Sequence, residues 1–365
     1  MYLGDNLGDL VVITLNNAVE ATLAIILLLK CELKLLQSTI VGVVLLHLLL
    51  IPGTGFLIGG ARVLHQHLDP HQSQLNHSLL IIGVMALVVP SAFFTSLNRS
   101  GPLSAEVLNT DPITDGFRHD FLRMARGAAV VLLLVYFASR IYLHNPPGEG
   151  NAFRPTPDAP HAAIKKDKEL EEVRPVINPL ACIILLCVSV ALMAVTAEFL
   201  VESIDFVRQS SNIQEEWFGL FLLPIVSFSA DGTLAVVFFI RSLLKGWFGE
   251  PLPPDTLAED KAIDLSIQFT LFWMPFLVLL GWWTDRPLST LFDLYEVTVL
   301  VASCFLVNYV TADAKTNWVE GMVMIAFYVI IALSSWFYTG QPEIRIMSAC
   351  ETIAAALVTG VASEG

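Results

Sequence analysis

Two carboxylates, Glu20 and Asp231, sit inside long apolar stretches of this chain. They occur in Asn17-Ala-Val-Glu20-Ala-Thr-Leu-Ala-Ile-Ile26 and Phe228-Ser-Ala-Asp231-Gly-Thr-Leu-Ala-Val-Val237. An ionised carboxylate at the centre of a bilayer costs about 2.5–3.5 kcal/mol on insertion scales, so it must face a polar interior, pair, or bind a cation. No Lys or Arg lies within a turn of either acid, whereas Asn17 precedes Glu20 by one turn and Ser227 and Ser229 lie within a turn before Asp231. Two carboxylates with amide, hydroxyl and backbone oxygens suit a hard cation, which takes about 6–8 oxygen ligands in the case of Ca²⁺. The candidate cation ligands are therefore Glu20, Asp231, Asn17, Ser227 and Ser229, with Glu20 and Asp231 contacting the metal. The competing reading is a pair of protonated acids hydrogen-bonded in a helix interface. Neighbouring carboxylates in low dielectric titrate as a unit. Ionised together they match a divalent cation, and when it leaves protons must take its place. That chemistry is antiport by competition.

Other polar residues interrupt the apolar runs. Glu198, Glu202 and Asp205 recur at helical spacing, as a stripe that would carry cations or protons. Asp205 belongs to a wet helix end. Gln37, Ser38 and His47 follow the first acidic motif by one span, and Ser266 and Gln268 follow the second, so a shared pocket or pathway is expected of them. Each could equally be interhelical glue. Pro52, Pro90, Pro224 and Pro275 can break helices that line a cavity, and Pro224 is expected to kink its helix toward Asp231. His65, His67, His71 and His77 are unevenly spaced and read as a solvated loop. Asp293, Glu296 and Glu320 lie near span ends and read as interfacial.

The elements that must position these groups are membrane spans. The 365 residues are 55% hydrophobic and 15% charged, with a mean hydropathy of +0.67; a soluble domain carries roughly 25% charged residues. A span needs about 20 mostly apolar residues. Nine segments qualify, near 9–30, 36–59, 78–97, 121–143, 177–204, 216–242, 263–283, 291–310 and 318–338. The fold class is an all-α polytopic membrane protein. Its expected units are a first membrane half at 1–143 with four spans, a charged linker at 144–176, a second half at 177–338 with five spans, and a tail at 339–365. The two acidic motifs lie five spans apart and so cross in opposite directions, the mark of inverted-topology halves with substrate near the midplane. Lys and Arg favour the linker side only slightly, 11 against 9, and the positive-inside rule places the linker in the cytosol. The net charge of −14 argues against nucleic acid as a partner. The five cysteines show no paired spacing and read as small apolar packing residues. No catalytic residue and no cofactor is expected, because the spans hold no metalloprotease motif or nucleophile–base pairing.

At these residues the chain resembles the calcium/proton exchanger family of the cation/calcium exchanger superfamily. The resemblance covers nearly the whole length. It rests on Tyr2-Leu-Gly-Asp5, Asn17-Ala-Val-Glu20, Gln37 through Gly42, Ala197-Glu-Phe-Leu-Val-Glu-Ser-Ile-Asp205, Gly219 through Val226 and Ser266-Ile-Gln268. Leu279-Leu-Gly-Trp282 and the run from Val307-Asn-Tyr309 to Tyr328-Val-Ile-Ile-Ala332 complete it. It implies a protein of the vacuolar membrane, or another endomembrane, that moves Ca²⁺ (or Mn²⁺) against H⁺. Membrane lipid, the two ions and at most further copies of the chain would be its partners. The family's Gly-Asn-Ala-x-Glu signature falls on Asn16-Asn17-Ala18-Val19-Glu20 and on Ser227-Phe228-Ser229-Ala230-Asp231, so the second copy keeps only Ala230 and exchanges Glu for Asp. His47 stands where the family usually has Asn. The family also has a further span ahead of the first motif, which suggests a truncated or degenerate relative. A non-transporting paralogue with a structural or regulatory role is the alternative these departures raise.

Overall fold

The structure is a computed structural model that describes residues 17–60, 65–68, 70–98, 114–144, 179–211, 213–229, 237 and 260–356. Helix α1 (Ala18–Lys30) turns at Cys31, in the left-handed region, into α2 (Leu33–Leu45). α2 runs through a π turn, Leu46–Leu50, into α3 (Ile51–Gly59). After strand β1 (Gln66–His67) come α4 (Pro70–Asn98), α5 (Asp115–His144) and α6 (Pro179–Ser211). Beyond α6 come α7 (Glu215–Trp217), a π turn at Phe218–Leu222 and helical residues 223–229. The chain continues with α8 (Asp260–Gln268), a π turn at Phe269–Trp273 and α9 (Met274–Trp283). Helix α10 (Leu294–Val310), strand β2 (Lys315–Thr316), α11 (Trp318–Ser335) and α12 (Pro342–Met347) complete the order. The two strands form one short antiparallel pair, Gln66 opposite Thr316.

Among the described residues six helices are long and apolar enough to cross a membrane: Leu33–Gly59, Ser73–Leu97, Asp115–Leu143, Leu180–Ile204, Ala262–Trp283 and Trp318–Ser335. Leu294–Val310 is shorter and apolar. Three of the nine expected spans, 9–30, 177–204 and 216–242, fall partly outside the described residues. Burial ranks the helices. The α2–α3 span is 72% buried and forms the centre, whereas 6% of the α6 span is buried, leaving its apolar face for lipid. Every residue of α2 is buried, Lys34, Gln37, Ser38 and Thr39 included.

The π turns have a common cause. Each ends two residues before a proline: Leu50 before Pro52, Leu222 before Pro224, and Trp273 before Pro275. Proline has no N–H for the carbonyl four residues back and its ring collides with that carbonyl. Widening the preceding turn relieves the collision and keeps the helix continuous. The recurrence in α2–α3 and α8–α9, one span after each acidic motif, repeats the internal sequence repeat in backbone form. The turn at 218–222 also permits a close crossing. A Cβ on Gly42 would lie 2.3 Å from the carbonyl oxygen of Leu220, and one on Gly219 would lie 2.7 Å from Ser38 Cβ. Only glycine lets these two backbones touch.

The described part of the tail, up to residue 356, forms a packed cap: Ile344, Met347 and Ile353 close a small apolar cluster with Phe94, Phe121 and Leu291. Two expectations are corrected here. Cys31 and Cys350 are joined by a disulfide, their Cα atoms 6.3 Å apart, so not every cysteine is apolar filler. Asp293 and Glu296 are fully buried rather than interfacial, because Lys34 meets them inside the bundle, 3.7 Å from Asp293 and 3.3 Å from Glu296. Asp293 also caps α10, accepting from the Tyr295 and Gln341 amides and from the Tyr338 hydroxyl. Glu320 does sit at a helix start, in a capping box with Asn317.

Candidate cation site

Glu20 lies in the first turn of α1, where the amide dipoles of a helix N-terminus favour a carboxylate. It is 5% exposed, and its Oε1 accepts a hydrogen bond from Ser227 Oγ at 3.2 Å. Ser227 is carried on the segment after Pro224, and its hydroxyl also reaches the Pro224 carbonyl at 2.9 Å. The contact joins the two halves at the first acidic motif. Ser229, two residues on, is exposed and bonds its own turn at the Val226 carbonyl. Asp231 lies outside the described residues.

Asn17, three residues before Glu20, precedes α1 and is sealed from solvent. Its Nδ2 donates to Gln268 Oε1 at 2.5 Å and to the Leu265 carbonyl at 3.2 Å. Its Oδ1 is buried without a partner among the described residues. This buried amide oxygen, one helical turn before a buried carboxylate, is the kind of acceptor a hard cation takes. Gln268 in turn donates from Nε2 to the Tyr136 hydroxyl at 3.3 Å. One turn further along both helices, Arg140 grips Asp264 in a forked pair at 3.1 and 2.5 Å, and its guanidinium lies 4.9 Å over the Tyr136 ring. Sequence reasoning did not single out Tyr136, Arg140 or Asp264. The available signal was opposite charge inside two apolar spans, at 121–143 and 263–283.

The remaining residues expected at the site are engaged elsewhere. Gln37 holds the loop after α9, donating to the Ser289 and Leu291 carbonyls at 3.3 and 2.9 Å, and accepts from Ser348 of the cap at 3.1 Å. Ser38 donates to Glu296 at 2.5 Å, inside the Lys34 cluster. His47 is buried with Nδ1 2.8 Å from the Val43 carbonyl of its own helix, its ring edge-on to Phe228 at 6.4 Å. Ser266 bonds back to Ile263. Glu198 is exposed on α6, and Glu202, also exposed, pairs with Lys30 at the end of α1 at 3.3 Å. The Asn17–Glu20 turn, Ser227 and Gln268 are thus drawn together, while Gln37 and Ser38 belong to a second buried polar cluster around Lys34.

The family model described as sodium/calcium exchanger protein matches residues 3–143 and 181–337. Among similar proteins is a vacuolar calcium ion transporter of Cryptococcus neoformans var. grubii, 33% identical over 95% of this chain; the chain spans 66% of that relative's length. A Ca²⁺/H⁺ antiporter of Aphanothece halophytica is 25% identical, with 94% of this chain and 85% of the antiporter covered. In fold, the chain resembles the solved structure of native YfkE, with a TM-score of 0.65 at 21% identity, covering 91% of this chain and 84% of that one.

Proposed function

The chain belongs to the sodium/calcium exchanger family, and on that footing we propose that it is a secondary transporter exchanging Ca²⁺ for H⁺ across the vacuolar membrane or a related endomembrane. The observation that carries the reading is the Asn17–Glu20 turn: a buried carboxylate joined to Ser227 of the opposite half, one helical turn after a buried amide oxygen without a partner among the described residues. Asp231 supplies the second carboxylate, and Ser229 a further hydroxyl. Loaded with Ca²⁺ both acids are ionised; emptied, the pair takes up protons, since an unpaired buried dianion is too costly to persist. Glu198 and Glu202 on α6 serve the proton or cation route, with the linker in the cytosol. Mn²⁺ is a second cargo compatible with the oxygen ligands. The non-transporting alternative is less well supported, because the first motif keeps its amide, carboxylate and interhalf hydroxyl contacts.

The test is Ca²⁺ uptake into proteoliposomes with an acidic interior. Uptake should require the pH gradient and disappear in Glu20→Gln and in Asp231→Asn. Since protons and Ca²⁺ compete, lowering the external pH should weaken the apparent Ca²⁺ affinity. Gradient-independent uptake, or no uptake from folded protein, would sink the reading.

A further inference from the structure

We propose that Arg140 and Asp264 are positioning residues for the cation site, acting through Tyr136 and Gln268 on the side-chain amide of Asn17. The inference rests on the exchange reading and names residues that set its affinity. Helices α5 and α8 face each other through two rungs, Tyr136–Gln268 and Arg140–Asp264, with each helix contributing positions i and i+4.

The rungs fix one amide after another. Asn17 spends its Nδ2 on Gln268 Oε1 and the Leu265 carbonyl, so its Oδ1 is the oxygen left to face a cation. That orientation holds only while Gln268 presents its oxygen. A flipped Gln268 would set one NH₂ against another. In this orientation the Tyr136 hydroxyl accepts from Gln268 Nε2, and its ring is held under Arg140. The forked, planar contact of guanidinium with carboxylate then fixes Arg140 and the rotation of α8 about its axis. Such control is needed at this point, because α8 ends at Gln268 and the π turn begins at Phe269. A buried ion pair of this kind is replaceable by apolar side chains with little or no loss of stability. Orientation, rather than stability, is what the pair adds.

The test compares Tyr136→Phe, Arg140→Leu/Asp264→Leu and their combination in the proteoliposome assay, with Arg140→Asp/Asp264→Arg as the rescue. Tyr136→Phe and the double Leu variant should each raise the KM for Ca²⁺ about five- to tenfold, the scale of one lost oriented hydrogen bond, with kcat within about twofold. Combined, they should cost no more than either alone, since they act through the same amide. The exchanged ion pair should restore most of the affinity. Wild-type transport with an unchanged KM in both variants overturns the proposal and leaves the exchange reading intact. Additive losses overturn the relay as well. Should the double Leu variant fail to fold, Tyr136→Phe, which removes a single oxygen, still decides. Absence of gradient-driven uptake in the wild type removes the exchange reading, and this inference with it.

Discussion

Lys34 stands between two buried carboxylates. Its Nζ serves Glu296 and Asp293, and all three side chains are at most 5% exposed. Removing one partner of a buried pair leaves an uncompensated charge and costs about 3–5 kcal/mol, whereas removing both partners costs far less. Lys34→Met should therefore lower the Tm of the purified protein by many degrees, and Lys34→Met/Glu296→Gln should recover much of the loss. Asp293 keeps its amide and hydroxyl donors in both variants. An unchanged Tm in the single variant would refute the argument. The same cluster shows where reading the sequence stopped. Glu20 and Asn17 were legible because a carboxylate and an amide share one helical turn inside an apolar run. Asp293 and Glu296 looked interfacial because their neutralising partner lies 262 positions away from Glu296 in the chain. No local pattern carries that apposition. Gln37 and Ser38 were recognised as buried polar groups, yet their partners on the 289–291 loop, the cap and α10 could come only from the fold.

At the scale of elements, prolines and glycines decide how the central helices meet. The sequence marks Pro52, Pro224 and Pro275 as helix breakers. The structure keeps each helix continuous by widening one turn, because in a bundle with no water to receive freed carbonyls a widened turn is cheaper than a break. At 218–222 that turn is also the contact surface for α2. Gly42→Ala places a methyl group on the Leu220 carbonyl, which is backbone and cannot rotate away. Overpacking of this kind costs about 1–3 kcal/mol or more, and here it also pushes apart the helix that leads to Ser227 and the one that follows Glu20. Gly42→Ala should lower the Tm and weaken Ca²⁺ uptake together. Thr54→Ala, on α3 of the same span, loses only a hydroxyl bonded to the Ile51 carbonyl of its own helix and serves as the control. Uptake and Tm that match the control would show that α2 and the 218–222 turn have slack between them.

Over the whole molecule, the disulfide sets a condition on the topology read from hydropathy, since its two cysteines must share one face of the membrane. Counting the expected span 216–242, three spans separate Cys31 from the linker and five separate the linker from Cys350. Both counts are odd, so each cysteine stands across the membrane from the linker, on the same side as the other. A bond between them is compatible with that count. A linker in the cytosol then puts the bond in the opposite, non-cytosolic compartment, where disulfides persist. The bond closes a long loop and ties the cap to the link between α1 and α2. The cap is also held without it: Arg118 donates to the Ala349 and Glu351 carbonyls at 2.9 and 2.8 Å, and the Ile353 amide donates to Asp115 at 3.2 Å. Reduction should thus loosen the cap rather than unfold the protein, with a Tm loss equivalent to about 2–4 kcal/mol and faster proteolysis after Met347. With Cys182, Cys187 and Cys304 replaced by Ala, a membrane-impermeant maleimide should label the reduced chain only from the non-cytosolic face. A cysteine placed at linker position Ala162 should be labelled only from the cytosolic face. Labelling of both from one face would break the odd span count between them, and with it the 4 + 5 arrangement of inverted halves on which the opposition of Glu20 and Asp231 depends.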